Sequence, residues 1–252
     1  MEYLLSPVNR RILESFCLVD TIFAFDYDGT LAPICEDPDA ARMKPEVAGL
    51  LGELIRSCPV AIISGRSVSD LRKLLPLEPH CLIGNHGSEG LLGPADLDLI
   101  KRDCGSWLGQ ISKSLPVLED HGIRVEDKGL SLTFHYRASK DSKSAREVIT
   151  EVIRDLPRAR ISGGKQVVNL VHDAAIHKGQ ALDLLMRTRR HDFGVYFGDD
   201  LTDEDVFRVP NPRLLTVKVG QERSLARYYV NEQAEIEAVL RLLLSFLRRV
   251  GG

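Results

Sequence analysis

The chain has 252 residues, 44% hydrophobic and 27% charged, with 33 Lys and Arg against 36 Asp and Glu for a formal charge of −3. That length carries one or two domains and can bury a core without disulfides or metals. The composition excludes low-complexity disorder, collagen and coiled coil, and the near-neutral charge gives no basic footprint for nucleic acid. The five cysteines are Cys17, Cys35, Cys58, Cys81 and Cys104, an odd number with no C-x-x-C pair. A disulfide framework or zinc ribbon is therefore not expected, and a reducing, cytoplasmic compartment is.

The opening stretch MEYLLSPVNRRILESF lacks the continuous apolar segment of a signal peptide. No run approaches the ~18 apolar residues of a membrane span. Short apolar runs rich in β-branched and aromatic residues then recur at Thr21–Phe25, 59–63, Cys81–Ile83, 195–197 and Leu214–Val219. They are too short for helices and read as strands buried on both faces, as in a parallel sheet. Between them, residues 45–56, 68–75 and 178–187 carry apolar stripes at helical spacing. Alternating strands and helices predict an open α/β sheet.

The middle of the chain has a different pattern. Residues 123–125 and 130–136 flank the turn signal E-D-K-G, and Leu132, Phe134 and Tyr136 alternate with Ser131, Thr133 and His135. That pattern predicts an antiparallel hairpin with one buried face, and it places Glu126 and Asp127 in the turn. Residues 142–156 read as a helix, with strands at 158–161 and 166–171. Residues 107–173 are thus expected to form a small α+β domain inserted into an α/β domain of residues 1–106 and 174–252. The closing IEAVLRLLLSFLRR is expected to be an amphipathic helix packed on a core.

The chemistry lies at the carboxyl ends of the predicted parallel strands. TIFAF leads into D-Y-D-G-T, which puts Asp26 and Asp28 at such an end. Residues 59–63 lead into Ser64-Gly65-Arg66, and VYF into G-D-D-L-T-D with Asp199, Asp200 and Asp203. Lys178 opens the preceding helix. In open α/β sheets, ligands bind outside the carboxyl ends of the strands. Crowded carboxylates there call for a cation, and hard oxygen ligands suit Mg²⁺. Ser64, backbone N–H groups and Lys178 are donors suited to a phosphoryl group. A carboxylate can attack phosphorus, and a second one can move the protons. A calcium loop beginning at Asp26 fails, because its sixth position is Leu31 rather than glycine and its twelfth is Asp37 rather than glutamate. His172 and His177 are five residues apart, which disfavours a shared zinc.

These four signatures resemble those of the haloacid dehalogenase superfamily of phosphatases. FDYDGTLAPI, IISGRSVSDL, the G-N-H-G of residues 84–87, LSLTFHYR, HKGQAL and VYFGDDLTDEDVF are similar to the trehalose-6-phosphate phosphatase family within it. The resemblance spans about residues 21–229. It implies a Rossmann-like parallel-sheet core with a small α+β cap inserted between the second and third signatures. It implies Asp26 as nucleophile, Asp28 as general acid/base, and Ser64, Gly65 and Lys178 around the phosphoryl group. It implies Mg²⁺ held by Asp26, the Asp28 carbonyl and Asp199, with Asp203 supporting the metal site. Arg66, His86 and Lys165 correspond to family residues near the sugar phosphate.

One departure bears on the substrate. The family cap pattern G-K-x-x-x-E-x-R-P is met here by Gly164-Lys165, then Asn169, Val171 and His172. Asn169 is neutral where a carboxylate would accept sugar hydroxyls strongly. The expected substrate is trehalose 6-phosphate; another glycosyl phosphate stays open, as glucosyl- or mannosyl-3-phosphoglycerate or sucrose 6-phosphate. A phosphomutase using the same phosphorylated aspartate and a catalytically silent binding module are further alternatives. The intact Asp26, Lys178 and Asp199 weigh against the silent module. The expected partner is a small sugar phosphate, with no nucleic acid and no membrane. Association with a trehalose-phosphate synthase is undecided from sequence.

Overall fold

All five residues of Thr21–Phe25 (β2) are buried, and so are all four of Val60–Ile63 (β3) and all six of Leu214–Val219 (β10). Strands apolar on both faces need cover on both, which favours parallel pairing with helical crossovers. The computed structural model describes residues 1–35, 37–164 and 166–250. Among them, the chain divides into two compact units, residues 1–90 with 177–252, and residues 91–176.

The first unit is built on a seven-stranded sheet. Its remaining strands are β1 (Glu2–Tyr3), β4 (Cys81–Ile83), β9 (Phe193–Gly198) and β11 (Tyr228–Val230), and the order is β1-β11-β10-β9-β2-β3-β4. Every neighbouring pair is parallel. The chain runs from β2 outward to β3 and β4, then returns to the other side of β2 with β9. That reversal makes β2/β9 the topological switch point, where such sheets bind ligands.

Helices α1 (Asn9–Cys17), α2 (Pro45–Ser57), α3 (Val68–Leu74), α7 (Lys178–Arg189), α8 (Glu204–Phe207) and α9 (Ile236–Val250) complete the unit. On α9, Ile236, Val239, Leu240, Leu243 and Leu244 are buried in one cluster with Val47, Leu51 and Leu54 of α2 and with Phe23, Phe25, Val195 and Phe197 of the sheet. The opposite face of α9 carries the Arg241–Glu237 pair, which is the expected amphipathic arrangement. Phe25 and Phe197 stack at 5.0 Å between β2 and β9, fixing the register of the two strands that carry the acidic loops. The strands β1 and β11, two and three residues long, are too short to show a period in the sequence. They form because the sheet edge and the α9 cluster give them something to pack on.

The second unit has an antiparallel sheet of order β5-β6-β8-β7, with β5 (Arg124–Asp127), β6 (Ser131–His135), β7 (Ala159–Gly164) and β8 (Val167–His172). Helices α4 (Pro94–Ile111), α5 (Leu115–Asp120) and α6 (Ser142–Ile153) accompany it. Leu132, Phe134, Val168 and Leu170 alternate onto one face and share a core with Ile100, Cys104, Trp107 and Ile111 of α4. The unit therefore begins at residue 91, against the expected 107, because helix α4 buries its stripe here. Its other end falls at 176, against 173. Glu126 and Asp127 also differ from expectation: they lie in β5, opposite Thr133 and Leu132, and the turn is Lys128–Leu130.

Trp107 is wholly buried, stacks on the His172 ring at 6.0 Å and donates its indole N–H to the Pro157 carbonyl at 3.0 Å. Truncating a buried aromatic leaves a cavity and here orphans an acceptor. Trp107→Ala should lower the unfolding free energy by about 3–5 kcal/mol, read by urea denaturation with circular dichroism. A loss below about 1 kcal/mol would mean that the second unit does not depend on this residue.

Candidate active site

The acidic loops start where the strands stop. The backbone ladder runs one residue past β2, with Asp26 N–H donating to the Phe197 carbonyl at 2.9 Å. Asp26 is thereby fixed at the β2/β9 boundary, only 4% exposed. The chain then turns sharply. Gly29 has φ +75°, and its N–H donates to the Ala32 carbonyl at 2.7 Å. A side chain at Gly29 would collide with the Asp199 carboxylate. The turn lets Asp28 leave the strand alternation and stand at the surface of the loop.

Ser64 follows β3 and is buried, its N–H bonded to the Ile83 carbonyl at 3.0 Å. Gly65 makes room for His86: a Cβ on it would lie 2.8 Å from His86 Nε2. His86 itself sits in the left-handed region at φ 57°, next to Asn85 at φ 48°, and its N–H donates to the Ser64 carbonyl at 2.9 Å. Arg66 reaches back to Asp28 with two bonds, Nε to Oδ2 at 2.6 Å and Nη2 to Oδ1 at 2.7 Å.

Lys178 opens α7 behind the His177 cap and is 1% exposed. Its ammonium lies 3.0 Å from Asp26 Oδ1 and 2.8 Å from Asp203 Oδ1. A buried lysine is tolerated only when paired. Burial works against its charge, but the Asp203 and Asp26 carboxylates outweigh that and raise its pKa above the ordinary value. Asp203 is wholly buried and receives two further donors, Tyr196 Oη at 2.6 Å and the Asp200 N–H at 2.8 Å.

Asp26, Asp199 and Asp203 bring carboxylate oxygens within 4.8 Å of one another. Burial, followed by Asp203 and Asp200, raises the Asp199 pKa to about 7. Burial likewise raises Asp26 well above its usual range, against the pull of Lys178, and Asp203, Asp199 and Asp28 add to the rise. The Asp199 Oδ1 atom is buried with no hydrogen-bond partner among the described residues. An orphaned carboxylate oxygen beside two other carboxylates is the environment that a hard divalent cation satisfies.

All the core residues expected from sequence, Asp26, Asp28, Ser64, Gly65, Arg66, His86, Lys178, Asp199 and Asp203, fall in the first unit. Lys165 lies outside the described residues. Two contributors go beyond the sequence expectation. Lys218 is buried on β10 and donates to the Asp199 backbone carbonyl. Tyr196 supports Asp203 from β9. The available signal for the first is a lysine inside the otherwise uncharged run LLTVKV.

In the second unit, Glu126, Thr133, Asn169 and Ser162 stand side by side across the four strands. Thr133 Oγ1 donates to Asn169 Oδ1 at 2.8 Å. His172 is tied to Asp103 at 3.0 Å and accepts the Ala174 N–H. In the first unit, His177 accepts the Gln180 N–H as a helix cap.

The trehalose-phosphatase family model matches residues 24–234. The chain belongs to that family. Trehalose-phosphate phosphatase B of Arabidopsis thaliana is 28% identical, over 92% of this chain and 68% of that protein. Trehalose 6-phosphate phosphatase RA3 of Zea mays is 30% identical, over 89% and 70%. The fold is also that of the C-terminal domain of C. albicans trehalose-6-phosphate phosphatase, with TM-score 0.78 and 24% identity, covering 94% of this chain and 97% of that one. The sucrose-phosphatase of Synechocystis has the fold at TM-score 0.59 and 16% identity, covering 90% and 98%. Membership of the trehalose-phosphatase family accounts for both the sheet and its acidic rim. Among the described residues, no helix is long and apolar enough to cross a membrane.

The raised Asp199 pKa has a consequence for stability. Its unfolded value is about 3.9, so the folded state holds this proton more tightly. That contribution is full below pH ~4 and is lost as pH rises through about 7. In chelator-treated protein, Asp199→Asn should therefore gain melting temperature over the parent, and the gain should grow between pH 4 and pH 8. A gain independent of pH would show that Asp199 is not the group responsible.

Proposed function

We propose that this protein hydrolyses trehalose 6-phosphate to trehalose and phosphate, using Mg²⁺ and a phosphorylated Asp26. The observation that carries the reading is the Asp26–Lys178–Asp203 pairing beside Asp199 at the switch point of the sheet. It combines a fixed nucleophile, a buried cation and an acidic oxygen free to act as a ligand. The activities named for the Arabidopsis and maize relatives supply the sugar.

Asp26, the Asp28 carbonyl and Asp199 would hold the Mg²⁺. Bound there, the cation offsets the negative charge of carboxylates and phosphate and orients the phosphoryl oxygens. Asp203 works differently from Asp199: its oxygens already accept from Lys178, Tyr196 and the Asp200 amide, so it sets the position of the lysine and of its own loop.

In the first step, an Asp26 oxygen bonds to phosphorus as the bond from phosphorus to the sugar oxygen breaks. Protonated Asp28 gives its proton to that leaving oxygen. In the second step, a water oxygen bonds to phosphorus while Asp28 takes one of its protons. The bond to Asp26 then breaks, restoring the Asp26 carboxylate and releasing phosphate. Ser64 and Lys178 donate to the phosphoryl oxygens in both steps, where negative charge is redistributed.

Asn169 supports a second reading. A neutral amide already bonded to Thr133 replaces the family carboxylate, which fits a glycosyl phosphate with a different hydroxyl pattern. Phosphate release from trehalose 6-phosphate, sucrose 6-phosphate, and glucosyl- and mannosyl-3-phosphoglycerate tests both readings. Preference for trehalose 6-phosphate is expected, with release falling to background in Asp26→Asn or with chelator, and restored by Mg²⁺. Preference for another of the four would reassign the sugar. Release that survives in Asp26→Asn would overturn the mechanism.

A further inference from the structure

Arg66 stands where the family resemblance places a sugar contact, yet its guanidinium is committed elsewhere. It holds both oxygens of Asp28 in parallel bonds of 2.6 and 2.7 Å. No other side chain among the described residues hydrogen-bonds that carboxylate. The guanidinium carbon lies 5.7 Å from the centre of the Tyr27 ring. Tyr27 is itself wholly buried and anchored by its hydroxyl on the Ala41 carbonyl at 2.8 Å. Arg66 is thus fixed from behind by an aromatic face and in front by a carboxylate. Its backbone is fixed as well: its carbonyl accepts the Asn85 N–H at 2.8 Å, and its N–H donates to Ser64 Oγ at 3.3 Å.

From this geometry we infer that Arg66 is the positioning residue of Asp28, not a sugar contact. The inference rests on the proposed role of Asp28 as the acid/base. Asp28 needs such a device because the Gly29 turn carries it out of the sheet: its backbone pairs only in an isolated bridge with Ala32, and its side chain is 35% exposed. A proton-transfer group must stay within hydrogen-bond reach of the oxygen it serves, at about 2.6–3.2 Å. Two parallel N–H···O bonds fix both the direction and the plane of the carboxylate. Each oxygen keeps a further lone pair for the proton it handles. The fork also joins the loop after β2 to the loop after β3, so the acid/base is set relative to Ser64, the proposed donor to the phosphoryl group. A lysine cannot reproduce this, because a single ammonium makes no planar fork.

The test separates leaving groups. Arg66→Lys and Arg66→Ala are compared with the parent on the sugar phosphate that the parent turns over fastest, and on p-nitrophenyl phosphate. The nitrophenolate ion leaves without a proton, so its first-turnover release does not need Asp28 as acid. The expected result is a fall in kcat on the sugar phosphate of about 10–100-fold, with KM within about threefold. The fall in first-turnover nitrophenolate release should be smaller by about tenfold or more. Added guanidinium should restore part of kcat in Arg66→Ala without lowering KM. A rise in KM at unchanged kcat would overturn the inference and return Arg66 to the sugar. Equal losses on both substrates, or no guanidinium rescue, would overturn it as well. Asp28→Asn runs in parallel. If it retains sugar-phosphate turnover, the acid/base reading fails; if it loses turnover while Arg66→Lys does not, only the positioning role fails.

Discussion

The site depends on one buried ammonium. Lys178 lies between Asp26, just past the end of β2, and Asp203, from the loop after the neighbouring strand β9. Removing a partner from a buried ion pair leaves an uncompensated charge, which costs far more than the pair contributes. The three residues therefore hold one another in place: the lysine needs both acids to stay charged, and the acids need the lysine to stay close. Helix α7, strand β2 and the loop after β9 are fixed relative to each other by that mutual requirement. The Phe25–Phe197 stack and the Asp26 N–H bond to Phe197 set the same register from the backbone side.

Around this triad, glycines act by making room for side chains that belong to other signatures. A side chain at Gly29 would strike Asp199, one at Gly65 would strike the His86 ring, and one at Gly198 would strike the Asp203 carboxylate. The four signatures thus describe a single packing arrangement divided over distant stretches of sequence. This explains why the polar clusters carry meaning together and little apart. D-x-D-G alone fits many turns; here the glycine at 29 answers both to its positive φ and to the close approach of Asp199.

The sheet strands were legible because each buried run is apolar throughout and ends at a polar or glycine residue. The acidic residues stood at those ends, so the chemistry could be read with them. What escaped depended on tertiary packing. Strands β1 and β11, two and three residues long, are too short to have a pattern of their own. Helix α4 straddles the boundary expected at 107, because a helical stripe does not say which core it enters; Trp107 and Ile111 enter the core beside His172. Lys218 was visible as a charge inside a buried strand, yet its target was a backbone carbonyl, which leaves no trace in sequence. The Arg66–Asp28 fork joins residues 38 positions apart, and neither motif alone names its partner.

Asp199 and Asp203 show how one short loop gives two identical side chains different properties. Asp203 has no exposed surface and its oxygens are saturated by Lys178, Tyr196 and the Asp200 amide, so its geometry is fixed before anything binds. Asp199 lies beside it with one buried oxygen lacking any partner among the described residues, and burial together with neighbouring acids raises its pKa to about 7. A carboxyl whose pKa is raised by burial and by neighbouring acids would release its proton when a cation arrives, so cation binding there would be linked to pH. Had Asp199 been given the donors of Asp203, the loop would be more stable and would have less to offer a metal. The unfavourable charge at Asp199 is thus local and separable from the triad that holds the fold, and it coincides with the carboxylate left free to act as a ligand.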